Sequence, residues 1–450
     1  MNFKQLTLFI ALFFGVTGLF QTKGQQSDTL RLDLNTALQI ALSESPSIRV
    51  AEMEIQRVDY SKQAAWNNIL PSLSASGQYA HYLRPGTMSI GGMVIEMPTQ
   101  FNATMGLNLS LPLFVPALWH SIKMTELDMQ LAVERAMASR VQLRSDVTKA
   151  FYGVLLAQDS HASLMTAYSL AKDAFEQANK RFELGLGSEF DAISAQVQMT
   201  NLQPTILDVE MGINQTIMML QILMGMETAQ PIKIIGNLAD YKADISNVGN
   251  LFDLSMNNNS DLRQLDIQEQ QLQRALMIQR TQKLPTLVAF GSYTYAGTGN
   301  KAGNNPFTGQ PMDATRDWFS QGLLGGVQLN IPLSGIFTNR ANERQTQNQI
   351  QQLATQRNAL EQSLNLQVQT ALNNMERAVQ QAEAARGNQD MAQRGYEIAL
   401  KRYEVGAGVF IETQNALQQL TQAQLSYHQA IANYLNSKAD LERTLGYSFR

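Results

Sequence analysis

The stretch FNATMGLNLSLPLF, residues 101–114, alternates between apolar side chains and side chains that are polar or small. Successive side chains of a β-strand point to opposite faces, so the pattern predicts a strand with one apolar and one polar face. Such a strand is typical of a sheet that covers a protein core, and also of a sheet that faces lipid. Residues 101–114 alone do not distinguish a protein core from lipid, so other features of the sequence are needed.

The composition excludes several classes of protein. The 450-residue chain has a formal net charge of −4, which gives no electrostatic reason to expect nucleic acid as a partner. It contains no cysteine, and this excludes disulfides, thiolate metal ligands and cysteine nucleophiles. The four histidines lie far apart and no phosphate-binding or nucleophile motif is present. We therefore expect no enzyme activity, no cofactor and no metal site.

The N-terminus has the features of a secretory signal peptide. Lys4 is followed by an apolar run from Leu6 to Phe20 and then by small residues. This run is short and interrupted, which argues against a membrane anchor, and no later apolar run reaches the length of about 18 residues that a membrane helix needs. We expect an exported chain, cleaved after Gly24, that either stays soluble or enters a membrane as strands.

The two halves of the chain repeat one another. Residues 45–79 and 260–293 both have the pattern of a helix, then a proline, then a strand. Further on, RYEVGAG (402–408) repeats RFELGLG (181–187). Because the order of these matches is the same in both halves, the chain is predicted to contain two structural repeats.

Each repeat is predicted to contain a helix, a pair of strands, a long helix, a glycine-containing turn and a further helix. Apolar residues recur at steps of three, four or seven along residues 353–379, which is typical of a coiled-coil seam. A helix over 337–403 would be about 100 Å long at the usual rise per residue. The predicted boundaries are a signal peptide, 1–24; repeat 1, 25–227, with a strand pair at about 72–113, a long helix 115–183 and a helix 188–224; an irregular connector, 228–250; and repeat 2, 251–450, with a strand pair at about 286–333, a long helix 337–403 and a helix 409–445.

Four amphipathic strands per chain are too few to close a barrel with a wet interior, and open sheet edges are not stable in lipid. Three chains would supply twelve strands, which can close around an aqueous lumen. Tyr79, Phe101, Tyr293 and Trp318 lie in or beside the predicted strands, as in the aromatic girdle of a membrane barrel. The alternative is a soluble α+β domain with one buried sheet face.

In its duplicated strand pairs, its long helices and its turns ELGLG (183–187) and EVGAG (404–408), the chain resembles the TolC-like outer-membrane efflux protein family. The resemblance covers the whole mature chain and implies an α+β channel-tunnel. In this fold a homotrimer forms a twelve-stranded β-barrel in the outer membrane, which continues as a twelve-helix α-barrel through the periplasm.

The resemblance also implies a function. The chain would be the passive exit duct of a tripartite efflux pump or a type I secretion system. Its partners would be a periplasmic adaptor and an inner-membrane transporter of the proton-driven RND class or the ATP-driven ABC class. The alternative, from a different class, is a periplasmic coiled-coil scaffold or adaptor protein without a membrane barrel.

The resemblance assigns further roles to residues at the turns and at the strand ends. The turns would receive the adaptor, and two prolines would mark the junctions between strand and long helix. The docking positions are Leu184, Gly185, Leu186, Val405, Gly406 and Ala407, and the junction positions are Pro112 and Pro332.

A periplasmic gate is expected just inside the turns. Glu412 matches an inward-facing gate carboxylate, and Asp191 and Tyr403 match two positions of a polar lock. A ring of carboxylates around a constriction would favour cations. The alternative is that Glu412 and Asp191 are ordinary acidic residues in the first turn of a helix. Two positions depart from the family pattern, because the second gate acid is Asn415 and the arginine of the lock is Gly408, so closure could rest on Phe410 instead.

Overall fold

The structure is a computed structural model that describes residues 30–84, 86–97, 99–241, 259–304, 309–333 and 335–446. The predicted signal peptide and most of the second half of the predicted connector lie outside the described residues. The chain divides into two compact units. We call them the turn unit (Met1–Ser45, Asp146–Leu251 and Glu376–Asn436) and the sheet unit (Pro46–Ser145, Phe252–Met375 and Ser437–Arg450).

The described residues form seven α-helices, ten strands and one 3₁₀ turn. In chain order they are β1 (Leu30–Leu32), α1 (Leu34–Glu44), α2 (Pro46–Asn67), β2 (Ser72–His81), β3 (Thr87–Ile90), β4 (Met93–Glu96), β5 (Thr99–Phe114), α3 (Pro116–Glu183), α4 (Glu189–Met224), β6 (Ile232–Ile234), the 3₁₀ turn Leu238–Tyr241, α5 (Ser260–Thr281), β7 (Thr286–Asn300), β8 (Gly303–Asn304), β9 (Pro311–Met312), β10 (Thr315–Asn330), α6 (Gly335–Glu404) and α7 (Phe410–Leu445).

The sheet unit contains a four-stranded antiparallel sheet in the order β10-β7-β5-β2. The register places Leu107 opposite Ala75 and Tyr293, and it places Asn108 opposite Ser74 and Ser292. The alternation of the sequence therefore becomes an apolar face and a polar face that both run across the strands. We call the first of these the apolar sheet face.

Several apolar side chains of residues 101–114 are exposed on the apolar sheet face. Leu107 keeps 50% of its surface exposed, and Met105 and Leu109 on either side are exposed as well. In the part of the chain that the structure describes, no protein core covers this face. Among the described residues, the outer strands β2 and β10 each pair on one side, so both edges of the sheet are open.

The predicted junction residue of repeat 1, Pro112, lies inside strand β5 and close to its end. Strand β5 runs on to Phe114, and α3 begins at Pro116, whose fixed φ suits the first position of a helix. Pro112 instead lies beside a register shift between β5 and β7, where a residue without an N–H can be accommodated. In repeat 2, Pro332 does lie between the end of β10 and the start of α6.

Two very long helices contribute residues to both units. Helix α3 has 68 residues and α6 has 70, and neither contains a proline after its first turn. Both carry two basic residues in the last turn, where positive charge interacts favourably with the helix dipole. Among the described residues, no helix is both long enough and apolar enough to cross a membrane.

The helices of the sheet unit are joined by polar contacts. The side chain of Gln271 on α5 donates a hydrogen bond to Asp128 on α3 (2.7 Å), and Arg357 on α6 forms an ion pair with Asp266 on α5 (2.9 Å). Burial raises the pKa of Asp128 above its ordinary value, although the bond from Gln271 acts in the opposite direction. These polar contacts link α5 to α3 and to α6, beside buried apolar residues such as Leu131 and Leu276.

The turn unit buries an apolar core along its helices. Phe151 and Leu155 on α3 and Tyr434 and Leu435 on α7 are almost fully buried. The connector 228–250 was predicted to be irregular, and its described part contains two short elements between irregular residues. Strand β6 pairs in parallel with β1, and the side chain of Ile234 on β6 is buried. The 3₁₀ turn follows β6 along the chain.

Candidate functional site

The two glycine-containing turns have the same backbone structure. In the first, Gly185 has φ +73°, its N–H donates to the carbonyl of Phe182 (2.9 Å), and the N–H of Leu186 donates to that of Arg181 (2.8 Å). This pair of hydrogen bonds is the Schellman motif, which satisfies carbonyls at a helix end and needs a left-handed residue. Only glycine adopts that conformation without strain.

The second turn repeats this arrangement. Gly406 has φ +74°, its N–H donates to Tyr403 (3.1 Å), and the N–H of Ala407 donates to Arg402 (2.8 Å). A Cβ atom at Gly408 would lie 3.1 Å from the Cβ of Arg402, which is a crowded contact. The close approach of the chain to Arg402 is therefore a structural reason for glycine at the position where the family lock has an arginine.

The turns present apolar side chains to their surroundings. Leu184, Leu186 and Val405 are 72%, 73% and 79% exposed. Exposed apolar residues of this size, grouped at the end of a helical hairpin, are typical of an interaction surface. These three are among the positions that the sequence assigned to adaptor docking.

Phe410 lies inside the chain rather than on its surface. It is 3% exposed and packs with Ala178, Ala195 and Tyr403, and its ring meets that of Tyr403 edge to face at 5.3 Å. The sequence offered Phe410 as a residue that could close a tunnel. Because its side chain is buried within its own protomer, it can act on closure only through the packing of the helices.

An arginine that the sequence analysis did not select joins the two repeats. The guanidinium of Arg181, at the end of α3, lies 4.8 Å from the centre of the Tyr403 ring and donates a hydrogen bond to the Tyr403 carbonyl (2.9 Å). Within the described part of the chain, the matching Arg402 of repeat 2 forms no such link and instead donates to the carbonyl of Ala407 in its own turn (3.3 Å). The arginine shared by RFELGLG and RYEVGAG could have drawn attention to Arg181, although not to its partner Tyr403.

The predicted gate carboxylate has a partner in the same chain. An oxygen of Glu412 lies 3.3 Å from a guanidinium nitrogen of Arg402, and both side chains are about half exposed. A pair this exposed adds little to stability. It does place a positive charge beside the carboxylate, so Glu412 does not act as an isolated negative charge.

The other two predicted gate residues lie at the starts of α4 and α7. Asp191 is half-buried in the first turn of α4, whose N-terminus is capped by the side chain of Ser188. Asn415 is exposed on α7. Within the described residues, no hydrogen bond joins Asp191 to Tyr403, so the structure of one chain does not bring these two lock positions together.

A second polar cluster lies in the turn unit. The carboxylate of Asp159 accepts a hydrogen bond from the N–H of Leu238 (2.9 Å) and lies 3.9 Å from His428, whose other ring nitrogen is 3.1 Å from Ser163. Burial raises the pKa of Asp159, while the Leu238 bond and His428 act in the opposite direction. The cluster fastens the 3₁₀ turn to α3 and α7. Among the described residues, no group of three or more histidine or acidic side chains is placed to hold a metal ion.

The chain belongs to the outer membrane efflux protein family, whose family model matches residues 37–226 and 251–447. It is therefore an outer-membrane protein with the α+β channel-tunnel fold, and it serves as an exit duct for efflux. This membership favours the duct over the alternative of a periplasmic scaffold.

Individual relatives agree with this assignment. The chain is 20% identical over 341 residues to the outer membrane protein TolC of Vibrio cholerae serotype O1, with 76% of both proteins covered. Its fold is similar to that of the CmeC outer membrane channel of Campylobacter jejuni (TM-score 0.69, 16% identity, 92% of this chain and 85% of that one). It is also similar to the outer membrane protein VceC of Vibrio cholerae (TM-score 0.69, 13% identity, 93% of this chain and 97% of that one).

Proposed function

We propose that three copies of this chain assemble into one duct, with a barrel of twelve strands in the outer membrane and a tunnel of twelve helices in the periplasm. The observation that carries this proposal is the four-stranded sheet, which has an exposed apolar face and two open edges in the single chain. Joining the edges of three such sheets would pair every strand and turn the apolar faces to lipid. The polar faces would then line water.

The duct would be passive and would have no chemistry of its own. A periplasmic adaptor would bind the two turns at Leu184, Gly185, Leu186, Val405, Gly406 and Ala407, and an inner-membrane RND or ABC transporter would supply the energy. The exposed apolar side chains of both turns support this assignment. In this arrangement the transporter selects the cargo, because a wide aqueous duct has few contacts with which to select it.

The periplasmic end of the tunnel would be closed by the helices that meet at the turns. Asp191, Tyr403, Glu412 and Asn415 would lie at the constriction, and Phe410 would hold the helices in place from within the core of the protomer. Arg181 and Arg402 join this set, since each contacts one of its members. The signal peptide would end at residue 24 and be removed on export, repeat 1 would end at residue 227, and the connector would end at residue 250.

Photo-crosslinking in living cells tests the docking surface. A photoreactive residue at Leu184 or Val405 should capture an adaptor, whereas the same residue at Met391, which is also exposed but lies on α6 away from the turn, should not. Capture of the chain's own protomers alone at both turns would rule out docking there.

Fractionation tests the barrel. The protein should be found in the outer membrane and should migrate as a trimer on electrophoresis until it is heated. Recovery in the soluble periplasmic fraction would rule out the membrane duct.

A further inference from the structure

The apolar sheet face has an unusual composition at its loop end, near the starts of β5 and β10. The register aligns His81, Phe101, Gly299 and Arg316 in one row across the four strands. The neighbouring row consists of Tyr79, Ala103, Gly297 and Trp318. Aromatic side chains and two basic side chains therefore occupy one small area of a face that is otherwise apolar.

Two glycines of β7 leave room for aromatic rings in this area, and a recess lies beside those rings. A Cβ atom at Gly299 would lie 2.0 Å from the ring of Phe101, and one at Gly297 would lie 2.5 Å from the ring of Trp318. Both rings therefore lie directly on the backbone of β7, where any other residue would displace them. Phe101 also stacks on Tyr79 (5.6 Å between ring centres), which fixes its orientation.

The recess is bordered by aromatic rings and by basic side chains. Its lining includes Tyr79, Phe101 and Trp318 together with His81 and Arg316. A guanidinium presents several N–H donors in a plane that matches phosphate, and it is always charged.

No acidic side chain balances Arg316 on this face. Asp317 follows it directly and so points to the opposite face of β10. Within the four strands as the structure describes them, the rows that share a face with Arg316 contain no Asp or Glu. Among the described residues, Arg316 therefore has no acidic neighbour on its own face of the sheet.

We propose that this recess binds the phosphate group of an outer-leaflet lipid. Arg316 contacts the phosphate, His81 lies at the opposite side of the recess, and the aromatic rings lie at the level of the head group. The acyl chains run down the apolar sheet face past Met105 and Leu107. A lipid fits better than a free anion because the surroundings of Arg316 are apolar on the side away from the loops. The inference rests on the proposed function, since it requires this face to lie in the membrane.

Lipid titration followed by native mass spectrometry tests the inference on the purified full mature protein in detergent. The probes are dipalmitoyl phosphatidic acid and dipalmitoylglycerol, which differ only in the phosphate. We expect the phosphatidic acid to bind more tightly, and Arg316→Gln to weaken its binding by about tenfold, as the loss of a charge-assisted hydrogen bond implies. Arg316→Lys should keep part of the preference.

The matched control is Arg394→Gln, which removes the same charge from an exposed position on α6 and should leave lipid binding unchanged. Equal effects of the two substitutions, or equal binding of the two lipids, would overturn the inference. Displacement of the lipid by inorganic phosphate at the same concentration would overturn it too, because the site would then bind a free anion. An unsubstituted protein that forms no trimers would contradict the proposed function as well, whereas trimers that bind lipid without dependence on Arg316 would contradict this inference alone.

Discussion

The replacement Arg181→Ala is expected to loosen the periplasmic end of the duct. Arg181 contributes a hydrogen bond from a charged donor to the carbonyl of Tyr403, worth about 1.5 kcal/mol at the lower end of the usual range. It also contributes a cation–π contact with the Tyr403 ring, worth about 0.5 kcal/mol where the arginine is partly exposed. Together they amount to about 2 kcal/mol, or a factor of about 30 in an equilibrium.

This energy should appear in the gating of the channel. The contact joins the end of α3 to the end of α6, so any opening that separates the two repeats has to break it. Single-channel recordings in planar lipid bilayers should show the open fraction of the Arg181→Ala variant rising by up to about 30-fold. Arg181→Lys should give an intermediate result, because lysine keeps the charge but not the planar group that stacks on the ring.

The second repeat supplies the control. Arg402 occupies the matching position but bonds to Ala407 and Glu412 within its own turn. Arg402→Ala should therefore leave the open fraction close to that of the unsubstituted protein. If both alanine variants open the channel equally, or if neither does, the cross-link formed by Arg181 does not control the gate and the reasoning is refuted.

Three further predictions concern charge, backbone and pH. Arg402→Gln should increase the preference of the channel for cations, and Glu412→Gln should decrease it, because each substitution leaves the charge of the other residue uncompensated. Reversal potentials in a salt gradient measure this preference, and shifts of the same sign for both variants would contradict the prediction. Gly406→Ala should lower the free energy of unfolding of the solubilised protein by about 1–2 kcal/mol, because Gly406 has φ +74°. Gly387→Ala within α6 should raise it slightly. Thermal unfolding compares the two variants, and equal effects would argue against a strained turn. Because burial raises the pKa of Asp159, the folded protein keeps the proton to a higher pH than the unfolded chain, so stability should fall as the pH rises from the ordinary aspartate value through the raised one. Asp159→Asn should remove this fall in a series of unfolding measurements, and an unchanged pH profile would show that another group causes it.

Periodicity in the sequence was sufficient to predict the main elements. Strand β5 alternates over nearly its whole length, and α6 has a regular apolar seam with no proline, so the local signals agree with the fold. Sequence periodicity could not place Pro112 within β5, because a proline is compatible both with the end of a strand and with a break in its register. Nor could it identify β6, since a three-residue strand has no periodicity of its own.

The site was predicted less completely than the fold. The turn glycines follow from the motif because a tight reversal needs a left-handed residue. The ion pair of Arg402 with Glu412 and the burial of Phe410 depend on how the helices are turned about their axes, which the spacing of residues alone does not fix. The contact between Arg181 and Tyr403 joins positions in different repeats, and no local pattern reports such a pair.

The open sheet edges and the uncovered apolar face have a consequence for the biogenesis of the protein. Exposed edge strands recruit other β-strands, and an uncovered apolar surface promotes aggregation. A newly exported chain carries both hazards through an aqueous compartment before it reaches lipid or its sister chains. Helices can form from local contacts alone, whereas the four strands become safe only when their edges are paired. The strands should therefore be the last part to fold, and chaperones that hold outer-membrane precursors should bind β2 and β10 in preference to the helices.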